Sequence, residues 1–172
     1  MNSVILSIRM IVSILLSMGA SVDDYKRYRI SNRIIVAGFI AGLSLIFGDI
    51  ALGCLMGDEF WRELKQQWIY LTGFISAFVI SYTMYLVKGI GAGDVKLFAV
   101  LGLILGMENI LRIIAFSMVA GVVIGIVEMK VTGNKRSIST LYGIKLHVFH
   151  FSFGITAGII INFMILMGGM IH

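Results

Sequence analysis

Apolar residues along the chain form six long runs, separated by short polar segments. In chain order the runs cover residues 3–22, 34–56, 68–87, 94–109, 111–128 and 148–171. A membrane-spanning helix needs about 20 mainly apolar residues, whereas a membrane β-strand alternates apolar and polar positions. The pattern predicts an all-α, polytopic membrane helical bundle of about six transmembrane helices. Because the fourth run is the shortest and begins among glycines, five spans plus a half-inserted segment is the alternative.

The composition excludes an ordinary soluble domain. Of the 172 residues, 59% are hydrophobic, 13% are charged and none is proline, and the mean hydropathy is +0.99. Soluble domains carry about 25% charged residues. A domain of this size also leaves about a third of the surface of its unfolded chain in contact with water. The sequence therefore predicts a single transmembrane domain over residues 1–172.

The basic residues between the runs predict the orientation in the membrane, because Lys and Arg are enriched in cytoplasmic loops. With the N-terminus outside, the segments 21–33, 88–96 and 129–147 are cytoplasmic and hold 10 of the 14 basic residues. Both termini are then outside the cytoplasm. The net charge of +5 is attributed to this bias, and no nucleic-acid partner is expected. The basic residues assigned to the outer side are Arg9, Arg62, Lys65 and Arg112.

Two local patterns concern packing. Segment 58–68 carries two tryptophans among charged residues, which is typical of a short helix in the outer interface. Glycines four residues apart share one helix face and allow close helix packing in lipid. Such pairs are Gly38 and Gly42, Gly102 and Gly106, Gly121 and Gly125, and Gly154 and Gly158.

Carboxylates occur at the predicted cytoplasmic ends of two runs, with Asp23 and Asp24 after the first and Asp94 at the head of the fourth. Two neighbouring carboxyl groups share one proton, so that one acts as a base on water and the other as an acid toward a carbonyl. Such a pair hydrolyses peptide bonds without a metal. Gly91 and Gly93 leave room for an extended peptide beside Asp94. We therefore hypothesise that these carboxylates form an aspartic protease site.

Two motifs resemble those of the type IV prepilin peptidases, the bacterial relatives of archaeal preflagellin peptidases. Residues 91–96, Gly-Ala-Gly-Asp-Val-Lys, resemble the family's Gly-x-Gly-Asp-x-Lys signature. Asp24, six residues before Ile30-Ser31-Asn32, resembles its first motif, in which proline usually stands at the position of Ser31. The resemblance implies that Asp24 rather than Asp23 is catalytic, together with Asp94. It also implies supporting roles for Gly91, Gly93, Lys96 and Asn32.

The resemblance extends to the length of the chain. Larger members carry an N-terminal region with Cys-x-x-Cys zinc motifs, associated with N-methylation, whereas this chain starts in its first run and has the single Cys54. It resembles the short, peptidase-only members, such as those of tight-adherence pilus systems. We therefore expect no N-terminal methyltransferase or zinc region and no cofactor. No metal site is expected either, because His147 and His150 lack further ligands.

The implied function is a membrane-embedded aspartic endopeptidase of the cytoplasmic (inner) membrane. It would remove the short basic leader of a pilin-like precursor at the cytoplasmic face. The alternative is a small ion- or proton-coupled transporter, in which acids normally lie near the bilayer centre between repeated halves. A structural membrane subunit without a site is a third interpretation. The sequence leaves open the oligomeric state and which aspartate is the base.

Overall fold

The computed structural model describes residues 3–27, 29–55, 57, 60–132, 137–141, 144–147 and 151–169, and it confirms the predicted helical bundle. The first four helices are α1 (Ser3–Arg27), α2 (Asn32–Leu55), α3 (Phe60–Gln66) and α4 (Trp68–Leu86). They are followed by α5 (Ala92–Leu105), α6 (Met107–Thr132) and α7 (Phe151–Gly169). Two short strands, β1 (Ser137–Leu141) and β2 (Ile144–His147), lie between α6 and α7.

Five helical segments in the described part of the chain are long and apolar enough to cross a membrane. They are α1, α2, the segment Phe60–Leu86 that joins α3 to α4, α6 and α7. The fourth apolar run forms α5, which has 14 residues. At 1.5 Å per residue α5 is about 21 Å long, less than the roughly 30 Å of a hydrocarbon core. The lengths therefore match the alternative of five spans and one shorter segment.

The short helix α5 is the core of the bundle. It packs against α1, α2, α4 and α6, and its side chains from Leu97 to Leu105 are all buried. A helix that is apolar on every face is stable either in lipid or when other helices enclose it, and α5 is enclosed by other helices. The enclosure explains why α5 tolerates a length below that of the lipid core. It also means that α5 is positioned by its neighbours rather than by lipid.

Glycines let the neighbouring helices approach α5 closely, as the spacing predicts. A Cβ added to Gly73 of α4 would lie 2.5 Å from the carbonyl oxygen of Gly102, and one added to Gly102 would press on the carbonyl of Gly73. A Cβ added to Gly38 or Gly42 of α2 would also press on α5, here on the side chains of Val100 and Leu103. The backbones of α4 and α5 are thus in direct contact. A similar contact joins α6 to α7 through Gly154 and Gly158.

Two connecting segments have structure of their own. The predicted short helix between the second and third runs is α3. The side chains of Trp61 in α3 and of Trp68 at the start of α4 are exposed. Segment 129–147 was expected as a loop, but it contains the antiparallel pair β1 and β2, with Thr140 opposite Lys145. Strand β1 reads Ser-Ile-Ser-Thr-Leu, and β-branched residues favour strands.

The packing gives the bundle two distinct polar ends. The end of α1 and the starts of α2, α5 and α7 meet at one of them, which we call the aspartate end because it holds Asp24 and Asp94. At the other end the start of α1 meets the last turns of α2 and α5 and the start of α4. We call this second meeting point the arginine end, because Arg9 lies at its centre.

Candidate active site

Neighbouring aspartates in the last turns of α1 have different surroundings. Asp23 accepts a hydrogen bond from the backbone N–H of Ser31 (3.0 Å) and forms an ion pair with Arg27 (3.6 Å). Asp24 instead accepts a hydrogen bond from the hydroxyl of Ser152 in α7 (2.6 Å). Asp23 therefore secures the connection between α1 and α2. Asp24, half-buried, is turned toward the interior of the aspartate end.

Ser31 caps the start of α2. Its Oγ accepts a hydrogen bond from the N–H of Arg33 (3.3 Å), and its carbonyl oxygen accepts one from the N–H of Ile34 (3.1 Å). Serine is among the residues that best cap a helix N-terminus, because its side chain satisfies one of the free N–H groups of the first turn. At the position where the first motif usually has proline, serine therefore defines the start of α2 by hydrogen bonding.

Asp94 lies in the first turn of α5, and its side chain is only 8% exposed. Its carboxylate accepts a hydrogen bond from the N–H of Gly91 (3.1 Å), and its own N–H donates to the carbonyl of Gly91 (3.1 Å). A Cβ at Gly91 would lie 3.2 Å from Oδ2 of Asp94. Glycine at position 91 therefore leaves the space that this carboxylate occupies.

The two motifs contact each other directly. A Cβ added to Gly93 would lie 3.2 Å from Cβ of Ile30, so the absence of a side chain at position 93 allows the first motif to pack on α5. Lys96 donates a hydrogen bond through Nζ to Oδ1 of Asn32 (3.3 Å). The structure thus brings together all four residues assigned a supporting role. Their contacts hold the starts of α2 and α5 side by side.

The electrostatics of Asp94 reflect both its burial and its partner. Burial raises the pKa of Asp94 from 3.8 to about 7, because the charged form loses contact with water. The hydrogen bond from Gly91 lowers this pKa, and the negative charge of Asp24 raises it. The carboxyl groups of Asp24 and Asp94 are therefore close enough to interact. Near neutral pH this arrangement favours one proton on the pair.

The sequence alone did not identify three residues with hydroxyl groups that lie beside Asp24. Ser152 donates to Asp24, Thr156 donates to the carbonyl of Ser152 (3.1 Å), and Ser21 shares a hydrogen bond with Thr156 (2.9 Å). A signal was present in the sequence, since Ser152 and Thr156 lie one helical turn apart in an otherwise apolar run. Polar residues at such positions usually face other helices rather than lipid.

The described residues contain no group of three or more His, Cys, Asp and Glu side chains that could hold a metal ion. Within this part of the chain, the site consists of two interacting carboxyl groups, the hydroxyl of Ser152 and the exposed residues Gly89, Gly91 and Ala92. This set of groups can move protons and activate water without further ligands.

Comparison with known families agrees with the two motifs. The sequence profile of the type IV leader peptidase family matches residues 10–126, which include both aspartates and helices α2 to α5. The chain belongs to the type IV leader peptidase family. The protein is therefore a multi-pass membrane protease. The matched range ends before α7, so Ser152 lies outside it. The comparisons with curated proteins and with solved structures find no match.

Proposed function

We propose that the protein is an aspartic endopeptidase that removes the short basic leader of pilin-like precursors at the cytoplasmic face of the inner membrane. Asp24 and Asp94 are its catalytic pair. The observation that carries the proposal is the interaction between buried Asp94 and Asp24 across α1 and α5. Membership of a leader peptidase family favours this function over an ion-coupled transporter.

The chemistry follows from a pair that shares one proton. The ionised carboxylate removes a proton from a water molecule, whose oxygen then attacks the carbonyl carbon of the scissile peptide bond. The protonated carboxyl group gives its proton to the carbonyl oxygen, which forms a neutral tetrahedral intermediate. Collapse of this intermediate breaks the C–N bond. As the C=O bond re-forms, one hydroxyl group of the intermediate returns its proton to the carboxylate that acted as the acid. The leaving amine takes up the proton first removed from the water, and the pair thereby returns to its starting state.

The surface around the pair leaves room for an extended peptide next to Asp94. Gly89, Gly91 and Ala92 are exposed next to Asp94, so an extended peptide can lie against their backbone. The apolar helix of the substrate would remain in the lipid beside the bundle. The exposed basic residues of this end would contact anionic headgroups rather than the leader. They are Lys26, Arg27, Arg29 and Arg33.

The test uses the purified protein in lipid vesicles with a precursor that carries a basic leader and an apolar helix. We expect cleavage between leader and helix, identified by N-terminal sequencing of the product. Asp24→Asn and Asp94→Asn should insert normally and lose cleavage. Asp23→Asn is the matched control, because an asparagine oxygen still accepts the hydrogen bond from Ser31, and it should cleave.

Cleavage at the wild-type rate by Asp24→Asn or Asp94→Asn would show that the pair is assigned wrongly. A product cut at another position would overturn the proposed substrate. Failure of the wild-type protein to cut the precursor, together with ion-gradient-driven flux in the same vesicles, would favour a transporter.

A further inference from the structure

We propose that Ser152 of α7 is a positioning residue that keeps Asp24 as the ionised member of the pair. Asp24 is then the general base and Asp94 the general acid. This inference rests on the proposed function and assigns the roles within the same site. It also gives α7, which lies beyond the range matched by the family, a part in the chemistry.

The contact between Ser152 and Asp24 has the geometry of a strong hydrogen bond. The distance from Oγ of Ser152 to Oδ2 of Asp24 is 2.6 Å, and Ser152 is fully buried. An O–H group that donates to a carboxylate forms a shorter and stronger bond than one between neutral groups. Donation to the charged form of a carboxyl group favours that form. The bond therefore stabilises a negative charge on Asp24.

Hydrogen bonds of the neighbouring hydroxyl groups hold Ser152 in place, and their directions can be assigned. Thr156 has one hydroxyl proton and uses it to bond the carbonyl of Ser152. The bond between Ser21 and Thr156 must then use the proton of Ser21. Ser21 and Asp24 lie one turn apart on α1, and Ser152 and Thr156 lie one turn apart on α7. These paired contacts fix α7 against α1 at the depth of Asp24.

Asp94 has different surroundings. Its carboxylate accepts a hydrogen bond from the backbone N–H of Gly91, a neutral donor. Asp94 is also more deeply buried than Asp24. A shared proton is therefore placed on Asp94, while the charge stays on Asp24, where Ser152 donates.

Other charged groups near Asp24 do not reverse this assignment. On its own helix, Asp23 and Arg27 are paired with each other, and on α5 Lys96 is bonded to Asn32. On α2, Arg33 is exposed. The described part of α7 carries no titratable side chain. Asp94 is the carboxyl group that interacts with Asp24 from across the site, and with the proton on Asp94 the negative charge stays on Asp24.

The experiment compares pH–rate profiles for precursor cleavage by the wild type, Ser152→Ala and Ser152→Thr. Ser152→Ala should reduce kcat by about tenfold or more, because a hydrogen bond to a charged group is lost, with little change in KM. The acid limb of its profile should move to higher pH, and the alkaline limb should stay in place. Ser152→Thr retains the hydroxyl and should restore both kcat and the acid limb.

Ser13→Ala is the matched control. Ser13 is a fully buried serine of α1 that bonds the carbonyl of Arg9, far from the aspartate end. Its variant should keep the wild-type profile. An unshifted acid limb in Ser152→Ala, or a threonine variant as impaired as the alanine variant, would overturn the inference while the proposed function stands.

A second measurement does not depend on cleavage. The infrared band of protonated carboxyl groups is titrated in purified wild type and in Ser152→Ala. The band should differ between the two proteins. The difference should persist in an Asp94→Asn background and disappear in an Asp24→Asn background. If Ser152→Ala leaves the titration unchanged, the inference is wrong, whether or not the wild type cuts the precursor.

Discussion

At the scale of single residues, three aspartates of one chain have three roles because their surroundings differ. Asp23 bonds a backbone N–H and an arginine, and so it fastens a loop. Asp24 accepts a hydrogen bond from a serine hydroxyl, whereas Asp94 is buried and accepts one from a backbone N–H. The environment of a carboxyl group decides whether it holds a charge or a proton. In the proposed mechanism, the two catalytic roles are therefore separated before a substrate binds.

Asp94→Asn is expected to stabilise the protein at alkaline pH. The folded-state pKa of Asp94 is about 7, against 3.8 as the ordinary value, so folding favours the protonated form. The wild type therefore loses stability as pH rises from about 4 to 7, since burial of the charge is unfavourable. Asparagine stays neutral and keeps an acceptor for Gly91. The gain in Tm should be largest above pH 7 and vanish near pH 4.

Thermal unfolding in detergent at several pH values measures this effect. Asp23→Asn is the control, because Asp23 is not buried in the same way, and it should show no such gain at high pH. A constant difference between Asp94→Asn and wild type at all pH values would contradict the assigned protonation of Asp94.

Cleavage should also weaken as pH rises through about 7. Asp94 acts as the acid only while it holds its proton, and its pKa is about 7. The alkaline limb of the kcat/KM profile, which reports the groups of the free enzyme, should therefore lie near this value. The profile is measured on a single vesicle preparation. The vesicles also contain an unreactive marker that is insensitive to pH, so that leakage of the vesicles can be excluded as the cause of a lower rate. A rate that is unchanged up to pH 9 would be inconsistent with Asp94 as the acid.

At the scale of elements, α5 is short and buried on all sides, and its neighbours set its position. Its backbone touches that of α4 through Gly73 and Gly102. Protein interiors adjust little to added atoms, and backbone atoms adjust less than the ends of flexible side chains. A displacement of α4 would therefore move α5 and, with it, Asp94.

Gly102→Ala is expected to lower both Tm and cleavage. The added methyl group would press on the carbonyl of Gly73, and this repulsion should exceed the gain of about 1 kcal/mol in helix propensity. Gly48→Ala is the matched control, because a Cβ there meets no atom within 4 Å. The control should be neutral or slightly stabilising. Equal Tm changes in the two variants would show that the contact between α4 and α5 is not tight.

At the scale of the whole molecule, the bundle is closed at the arginine end, opposite the active site. Arg9 is fully buried, bonds the carbonyl of Ile104 (2.7 Å), forms an ion pair with Asp49 and lies over the ring of Tyr70 (3.8 Å). The sequence analysis counted Arg9 with the outer basic residues, but its charge is neutralised inside the protein. Helices α1, α2, α4 and α5 are thus tied together there, which fixes the distance between the helices that carry the two aspartates.

Arg9→Met is expected to destabilise the protein by about 3–5 kcal/mol, because it leaves the charge of Asp49 without its partner. The double variant Arg9→Met with Asp49→Leu should recover much of this loss, since no buried charge remains. Unfolding in detergent measures both. If the double variant is as unstable as the sum of the single variants, the ion pair does not couple the helices.

The sequence by itself determined the helical class, the approximate positions of the apolar helices and the two aspartate motifs. Run length, hydropathy and motif spacing are local properties, and lipid acts on each segment separately. The structure places α5 among these helices as a 14-residue core element rather than a full span. The short fourth run left this possibility open as the alternative of five spans, and burial of α5 by four neighbours explains why its length suffices.

Tertiary structure alone decided which groups meet. The partners of the decisive contacts are far apart in sequence: Asp24 and Ser152 are separated by 128 positions, and Arg9 and Asp49 by 40 positions. The different surroundings of Asp23 and Asp24 also follow from helix packing, although the two residues are adjacent. Hydrogen bonding and burial depend on position in space, and so the chemistry of each carboxyl group was set only when the helices came together.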